Sequence, residues 1–134
     1  MTERRAARIG LAAALPVVLA QLVVASAWSL GHDDPTALDR TRTCLEREKG
    51  VPVETTTDDP VAASASGGAL GTVIETNPVT ISIARSEPEV ERLRAGYAGR
   101  GVTAAFLDVR GRYVTRWQRE PSPTQRQVTY DCAY

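Results

Sequence analysis

An apolar stretch near the N-terminus divides the chain into two parts of different physical character. Residues Leu11–Val24 are apolar apart from Gln21, and they follow three arginines, Arg4, Arg5 and Arg8. A positive segment followed by an apolar run of this length is typical of an export signal, and the run is shorter than the roughly 20 residues that span a bilayer. About 100 residues are left for a folded domain outside the cytoplasm.

Two fates of the apolar stretch remain open. Ala25-Ser26-Ala27 forms the small-x-small pattern that signal peptidase recognises, which predicts a mature chain beginning at Trp28. Counted from Ile9 to Leu30, however, the stretch has 22 residues with only Gln21 strongly polar, which is long enough for a retained membrane anchor. We expect residues 1–27 to be a signal peptide or signal anchor, residues 28–34 a linker, and residues 35–134 the exported domain.

The exported part contains two cysteines, Cys44 and Cys132, and an even number outside the cytoplasm is typical of a disulfide. A metal pair or a redox couple is the alternative, but the chain has no CxxC motif and its single histidine, His32, falls in the predicted linker. We therefore predict a structural disulfide between the first helix and the last strand, and we expect no metal site and no cofactor.

Capping signals and apolar spacing predict three helical segments in the exported domain. Asp34-Pro35 should begin a helix that runs to about Lys49, because proline is favoured in the first helical turn. Asp59-Pro60 repeats this signal before a single turn at residues 61–65. Ser86 and Glu89 form a capping-box pattern, so a third helix should run from there to residues 99–101.

Alternating and β-branched segments predict the strands. The glycine-rich segment 67–71 reads as a flexible linker or turn, and Asn77-Pro78 as the turn of a hairpin. Residues 102–109 are apolar on both faces, so we expect a central, buried strand that forms a βαβ unit with residues 79–84. The predicted strands are residues 51–53 at an edge, 72–76, 79–84, 102–109, 113–118 and 128–134.

These elements indicate an α+β fold. We expect a small two-layer domain with a mixed or mostly antiparallel sheet and helices on one face, preceded by the N-terminal export or anchor helix. The length and the 43% hydrophobic content fit one small domain and exclude a multi-domain enzyme, a collagenous chain and a fully disordered one.

Few residues are suited to catalysis. A serine or cysteine nucleophile needs a base, and the exported domain offers no histidine and a single lysine, Lys49. Paired carboxylates such as Asp58-Asp59 are better explained as helix caps and complements to helix dipoles. We name no catalytic residue, and a hydrolase that uses carboxylates alone is the least favoured hypothesis.

The zero net charge is a sum of unlike parts. Residues 28–84 carry a net charge of −5 and residues 85–134 a net charge of +3. Four arginines of the second half cluster with two aromatic residues around one predicted hairpin, and this composition is common at contact surfaces. The candidate binding residues are Arg110, Arg112, Tyr113, Arg116, Trp117 and Arg119.

Two interpretations of this hairpin stay open. It is either a binding surface for a protein or an anionic envelope component, or a solvated sheet face in which Trp117 packs into the core. We expect a non-catalytic exported or envelope protein that acts by binding, and we expect no nucleic-acid partner. The alternative is a single-pass accessory subunit of a membrane complex that retains the apolar stretch.

Overall fold

Five short strands form a single antiparallel sheet with helices packed against it. The computed structural model describes residues 36–133, so the predicted signal or anchor, the linker and the Asp34-Pro35 cap lie outside the described residues. The helices are α1 (Ala37–Thr43), which continues as a π-helical segment (Cys44–Glu48), α2 (Pro60–Ala63), α3 (Glu87–Gly99) and α4 (Pro123–Cys132). The strands are β1 (Val53–Glu54), β2 (Ala69–Ile74), β3 (Asn77–Ile83), β4 (Leu107–Arg110) and β5 (Tyr113–Trp117), with a 3-10 turn at Ala104–Phe106.

The strands are arranged in the order β1-β2-β3-β5-β4, and every neighbouring pair is antiparallel. The predicted α+β class with a mostly antiparallel sheet is thereby confirmed. The predicted central position of residues 102–109 is wrong, because β4 lies at the edge and residues 104–106 are helical. Strands β3 and β4 do run parallel, as a βαβ connection requires, but β5 is inserted between them.

Helices cover both faces of the sheet, so the predicted single helical layer is wrong. Alternate residues of β5 separate into two cores: Tyr113 and Trp117 belong to the first, and Val114 belongs to the second. The first core also contains Leu45 and Cys132 and lies under α1, the π segment and α4. The second lies under α2 and α3, and its buried residues are Val61, Ala65, Ala84, Val90, Leu93, Tyr97 and Val114.

The C-terminal segment is a helix, whereas the alternation of residues 128–134 predicted a strand. Ser122 caps α4 through a complete capping box with Gln125, and Pro123 occupies the first turn. Val128 and Cys132 are four residues apart, so both still face the first core when the segment is helical. The spacing of Val128 and Cys132 is compatible with a strand or a helix, and the Ser122 cap favours the helix.

The disulfide between Cys44 and Cys132 is present, with an S–S distance of 2.05 Å and a sequence separation of 88. Because residue 132 ends a helix, the bond joins the π segment to α4 and not to a strand. Thr36 caps α1 through a capping box with Asp39, so the helix begins at Ala37. Among residues 36–133, no helix is long and apolar enough to cross a membrane.

The β2–β3 turn lies two residues earlier than the sequence indicates. Ile74 pairs with Asn77, which leaves Glu75 and Thr76 as the turn, with φ angles of 48° and 67°. Asn77 is buried as the first residue of β3. Its amide accepts from the Arg119 N–H and donates to the Arg119 carbonyl and to Gln125. A buried asparagine bonded to α4 therefore sets the register of this hairpin.

Candidate functional site

The six candidate binding residues do not form one surface. Tyr113 and Trp117 are 3% and 1% exposed and pack in the first core, where the Trp117 indole N–H donates to Asp108 at 2.9 Å. This places both aromatic side chains in the core, as the solvated-sheet interpretation expected for Trp117. Of the six candidate residues, only the four arginines are therefore accessible to a partner.

The four arginines have separate surroundings. Arg110 lies 5.0 Å from the centre of the Tyr130 ring and donates to the Tyr130 carbonyl at 3.3 Å. Arg119 donates to the carbonyl of Thr76 and so covers the β2–β3 turn. Arg112 is exposed at the tip of the β4–β5 hairpin. Arg116 lies on the opposite sheet face from Tyr113 and Trp117, where the sheet is partly uncovered.

A row of four residues crosses this second face of the sheet. The strand registers pair Glu54 with Gly71, Gly71 with Thr80, and Thr80 with Arg116. Paired residues point to the same face of a sheet. Gly71 and Thr80, which are small, therefore form a trough between the Glu54 carboxylate and the Arg116 guanidinium. The row spans three strand spacings, or about 14 Å between the outer Cα atoms.

The trough is the floor of an open groove of about 360 Å³. A Cβ atom added to Gly71 would meet no atom within 4 Å, so the space above this residue is empty. Val73, with 47% of its surface exposed, extends the floor beside Pro78. The segment around Asp58 lines one side, and a second cavity of about 540 Å³ continues from it toward Arg100.

Arg116 has unused hydrogen-bonding capacity at the end of this groove. Its side chain is 40% exposed, and its nearest carboxylate oxygen, on Asp59, is 3.9 Å from Nη1. Its Nε is buried and has no hydrogen-bond partner within the described residues. The buried Nε cannot reach an occupant of the groove, but the Nη groups of this partly exposed side chain can donate to an acceptor there.

Asp59 holds this end of the groove in place. One carboxylate oxygen accepts from the N–H groups of Val61 and Ala62, which caps α2, and the other accepts from the Tyr97 hydroxyl at 2.9 Å. Burial, reinforced by the negative charge of Asp59, raises the pKa of the Tyr97 phenol, so this side chain stays protonated. These three hydrogen bonds fix the position of the Asp59 carboxylate beside Arg116.

The groove has opposite charges at its two ends. Glu54 is exposed on β1 and forms no ion pair with another residue in 36–133. Asp58 is exposed on the side of the groove that borders the cavity lined by Arg116, so it does not belong to the Glu54 end. Arg116 provides the positive charge on the β5 side. The sequence interpretation missed Glu54, Gly71 and Thr80, because Gly71 was assigned to a flexible linker when it is the third residue of β2.

One signal could have identified the trough. A glycine inside a β-branched strand leaves a gap on the sheet surface, and alternation places Gly71 on the same face as Val73. No group of three or more metal-ligating side chains is found in the part of the chain that the structure describes. Comparison with known proteins gives no match, whether with family models, curated proteins or solved structures.

Proposed function

We propose that this chain is an exported or envelope-associated protein that acts by binding a partner in the groove over Gly71 and Thr80. The observation that carries the proposal is the row Glu54-Gly71-Thr80-Arg116, which leaves an empty trough between opposite charges on an otherwise well-packed sheet. The N-terminal arginines and the apolar stretch support export, and the Cys44–Cys132 disulfide is compatible with it.

Site-specific photo-cross-linking in the cells that express the protein tests the groove. A photoreactive amino acid at Val73 should give a discrete adduct, because this exposed side chain lies on the groove floor. The adduct should disappear when Gly71→Val fills the trough. The same probe at Ala98, exposed on α3, is the control. No adduct at Val73, or an identical adduct at Ala98, would show that the groove is not the binding surface.

Export is tested separately by sequencing the N-terminus of the protein recovered from the cell envelope. A chain that begins at Trp28 supports cleavage of the signal after Ala27. An uncleaved chain in the membrane fraction supports the anchored accessory subunit. Recovery of the full-length chain from the cytoplasm would contradict export altogether.

An anionic envelope component is a second candidate partner, at a different place. Arg112 at the hairpin tip and Arg85 before α3 are both exposed, and they line one cavity of about 400 Å³. Arg112→Gln combined with Arg85→Gln should weaken salt-sensitive binding to phosphatidylglycerol vesicles. Binding that persists in this double variant would exclude the tip.

A further inference from the structure

The groove also indicates the chemical class of its occupant. We propose, as a refinement of the function proposed above, that it binds a short peptide with both ends free, the ammonium end at Glu54 and the carboxylate end at Arg116. The inference rests on the arrangement of charges along the trough.

Each end of the groove selects for one charge. The Arg116 guanidinium has a single carboxylate nearby at 3.9 Å, and three groups already donate to that carboxylate: the two α2 amides and the Tyr97 hydroxyl. Its donors can therefore reach a second carboxylate in the paired geometry that arginine favours. At the other end Glu54 is exposed and has no ion-pair partner within residues 36–133, so its carboxylate favours a cationic group.

This distribution disfavours an occupant with one sign of charge. A polyanion in the trough would lie against the Glu54 carboxylate, and a polycation would lie against Arg116. Like charges in contact are unfavourable. A zwitterion satisfies both ends at once. The docking site is thus defined by charge complementarity as well as by the gap in the sheet surface.

The length of the trough limits the occupant to a few residues. An extended chain covers at most about 3.5 Å per residue, so a tripeptide spans about 10 Å. This fits between Glu54 and Arg116, whose Cα atoms are about 14 Å apart by strand spacing and whose side chains occupy part of that span. Val73 and Pro78 on the floor can contact an apolar side chain of the ligand.

The test is a calorimetric titration of the purified full-length protein with the tripeptide alanyl-valyl-alanine. The free peptide should bind, and its N-acetylated and C-amidated forms should each bind at least about tenfold more weakly, because each lacks one charged end. Equal binding of all three forms, or no binding of the free peptide at millimolar concentration, would overturn the proposal.

Variants locate the binding. Glu54→Gln should weaken binding of the free peptide but not of the acetylated one, and Arg116→Gln should weaken binding of the free peptide but not of the amidated one. Gly71→Val should abolish binding without lowering the melting temperature, because its Cβ meets open space and valine is favoured in strands. Glu91→Gln, an exposed substitution outside the groove, is the control and should leave binding unchanged.

The two proposals can fail separately. If Val73 gives a specific adduct in cells but the tripeptide does not bind, the groove receives another kind of partner and the zwitterion inference is wrong. If the tripeptide binds to Gly71→Val as to the unaltered protein, its site lies elsewhere, and the inference is again wrong whatever the cross-linking shows.

Discussion

Asp58 and Asp59 are adjacent in the sequence but differ in environment. Asp59 caps α2 with one oxygen and accepts from the buried Tyr97 hydroxyl with the other, whereas Asp58 is exposed at the groove. Replacing Asp59 by alanine removes a helix cap and leaves a buried hydroxyl without its acceptor. We expect Asp59→Ala to lower the free energy of unfolding by about 2–4 kcal/mol, measured by urea denaturation.

The neighbouring residue supplies the matched control. Asp58→Ala should change the free energy of unfolding by less than about 0.5 kcal/mol, since exposed substitutions away from caps have small effects. Asp59→Asn retains a capping oxygen and should fall between the two alanine variants. Equal losses for Asp58→Ala and Asp59→Ala would contradict the capping role.

At the scale of single residues, the sequence predicted roles wherever the signal was local. The Asp59-Pro60 cap was predicted. Burial of Trp117 was one of the two interpretations of the hairpin, although Trp117 was also named as a candidate binding residue. The role of Asn77 was not predicted, because an Asn-Pro pair is a common turn signal and its bonds to Arg119 and Gln125 span more than 40 positions. The gap at Gly71 has a local signal, but its position between Glu54 and Arg116 was missed for the same reason, since those two residues belong to other strands.

Among the elements, the β2–β3 hairpin carries backbone strain that its sequence does not relieve. Glu75 and Thr76 both have positive φ, as a type I′ turn requires, yet neither is a residue that favours this conformation. Replacing the pair by Asn-Gly should raise the free energy of unfolding by about 1 kcal/mol or more. Thermal denaturation measures the change.

The second hairpin gives the opposite control. Gly111 has a φ of 56° in the β4–β5 turn, so Gly111→Ala should lower stability by about 1 kcal/mol. An unchanged melting temperature in the Asn-Gly variant would show that the protein relaxes the strain at Glu75 and Thr76.

The start of α3 is tied to the segment before β2 by one carboxylate. Glu89 accepts from the Ser66 hydroxyl and the Ser66 and Arg85 N–H groups, and these bonds lower the pKa of Glu89 below its ordinary value. A lowered pKa stabilises the folded state above the unfolded-state pKa, and this stability is lost as the pH falls through the lowered value.

We therefore expect the free energy of unfolding to decrease as the pH falls below the ordinary glutamate pKa of 4.5, and Glu89→Gln to reduce this dependence. Urea denaturation at several pH values measures the slope, with Glu91→Gln on the exposed face of the same helix as the control. The same acid dependence in Glu89→Gln and in the unaltered protein would assign it to other groups.

The wrong predictions for the C-terminal helix and for the position of β4 each have a physical cause. Residues 128–134 alternate like a strand, but Ser122, Pro123 and Gln125 supply a proline-containing capping box immediately before them. That cap is a local signal and could have corrected the prediction. The edge position of β4 could not be predicted from its apolar residues. Apolar residues on both faces of a strand indicate that both faces are covered, but they do not show whether the strand has one neighbouring strand or two.

For the whole molecule, the disulfide joins the two ends of the described domain. Cys44 lies in the acidic first half and Cys132 in the basic second half, and Lys49 pairs with Asp131 beside them at 2.6 Å. The pairing could be predicted because two cysteines allow one intramolecular bond, while the element that carries Cys132 could not be predicted from the count. The bond fixes α4 against the π segment over the first core.

Removal of this bond should destabilise the entire domain. A closed loop of this length restricts the unfolded chain, so Cys44→Ala with Cys132→Ala should lower the free energy of unfolding by about 2–5 kcal/mol. Reductant should lower the melting temperature of the unaltered protein toward that of the double variant and should not affect the variant, which separates the bond from other effects of reduction. Labelling of the unfolded, unreduced protein should detect no free thiol. If the double variant unfolds at the same urea concentration as the oxidised protein, the packing of α4 against α1 and the sheet is sufficient to hold the C-terminus without the disulfide.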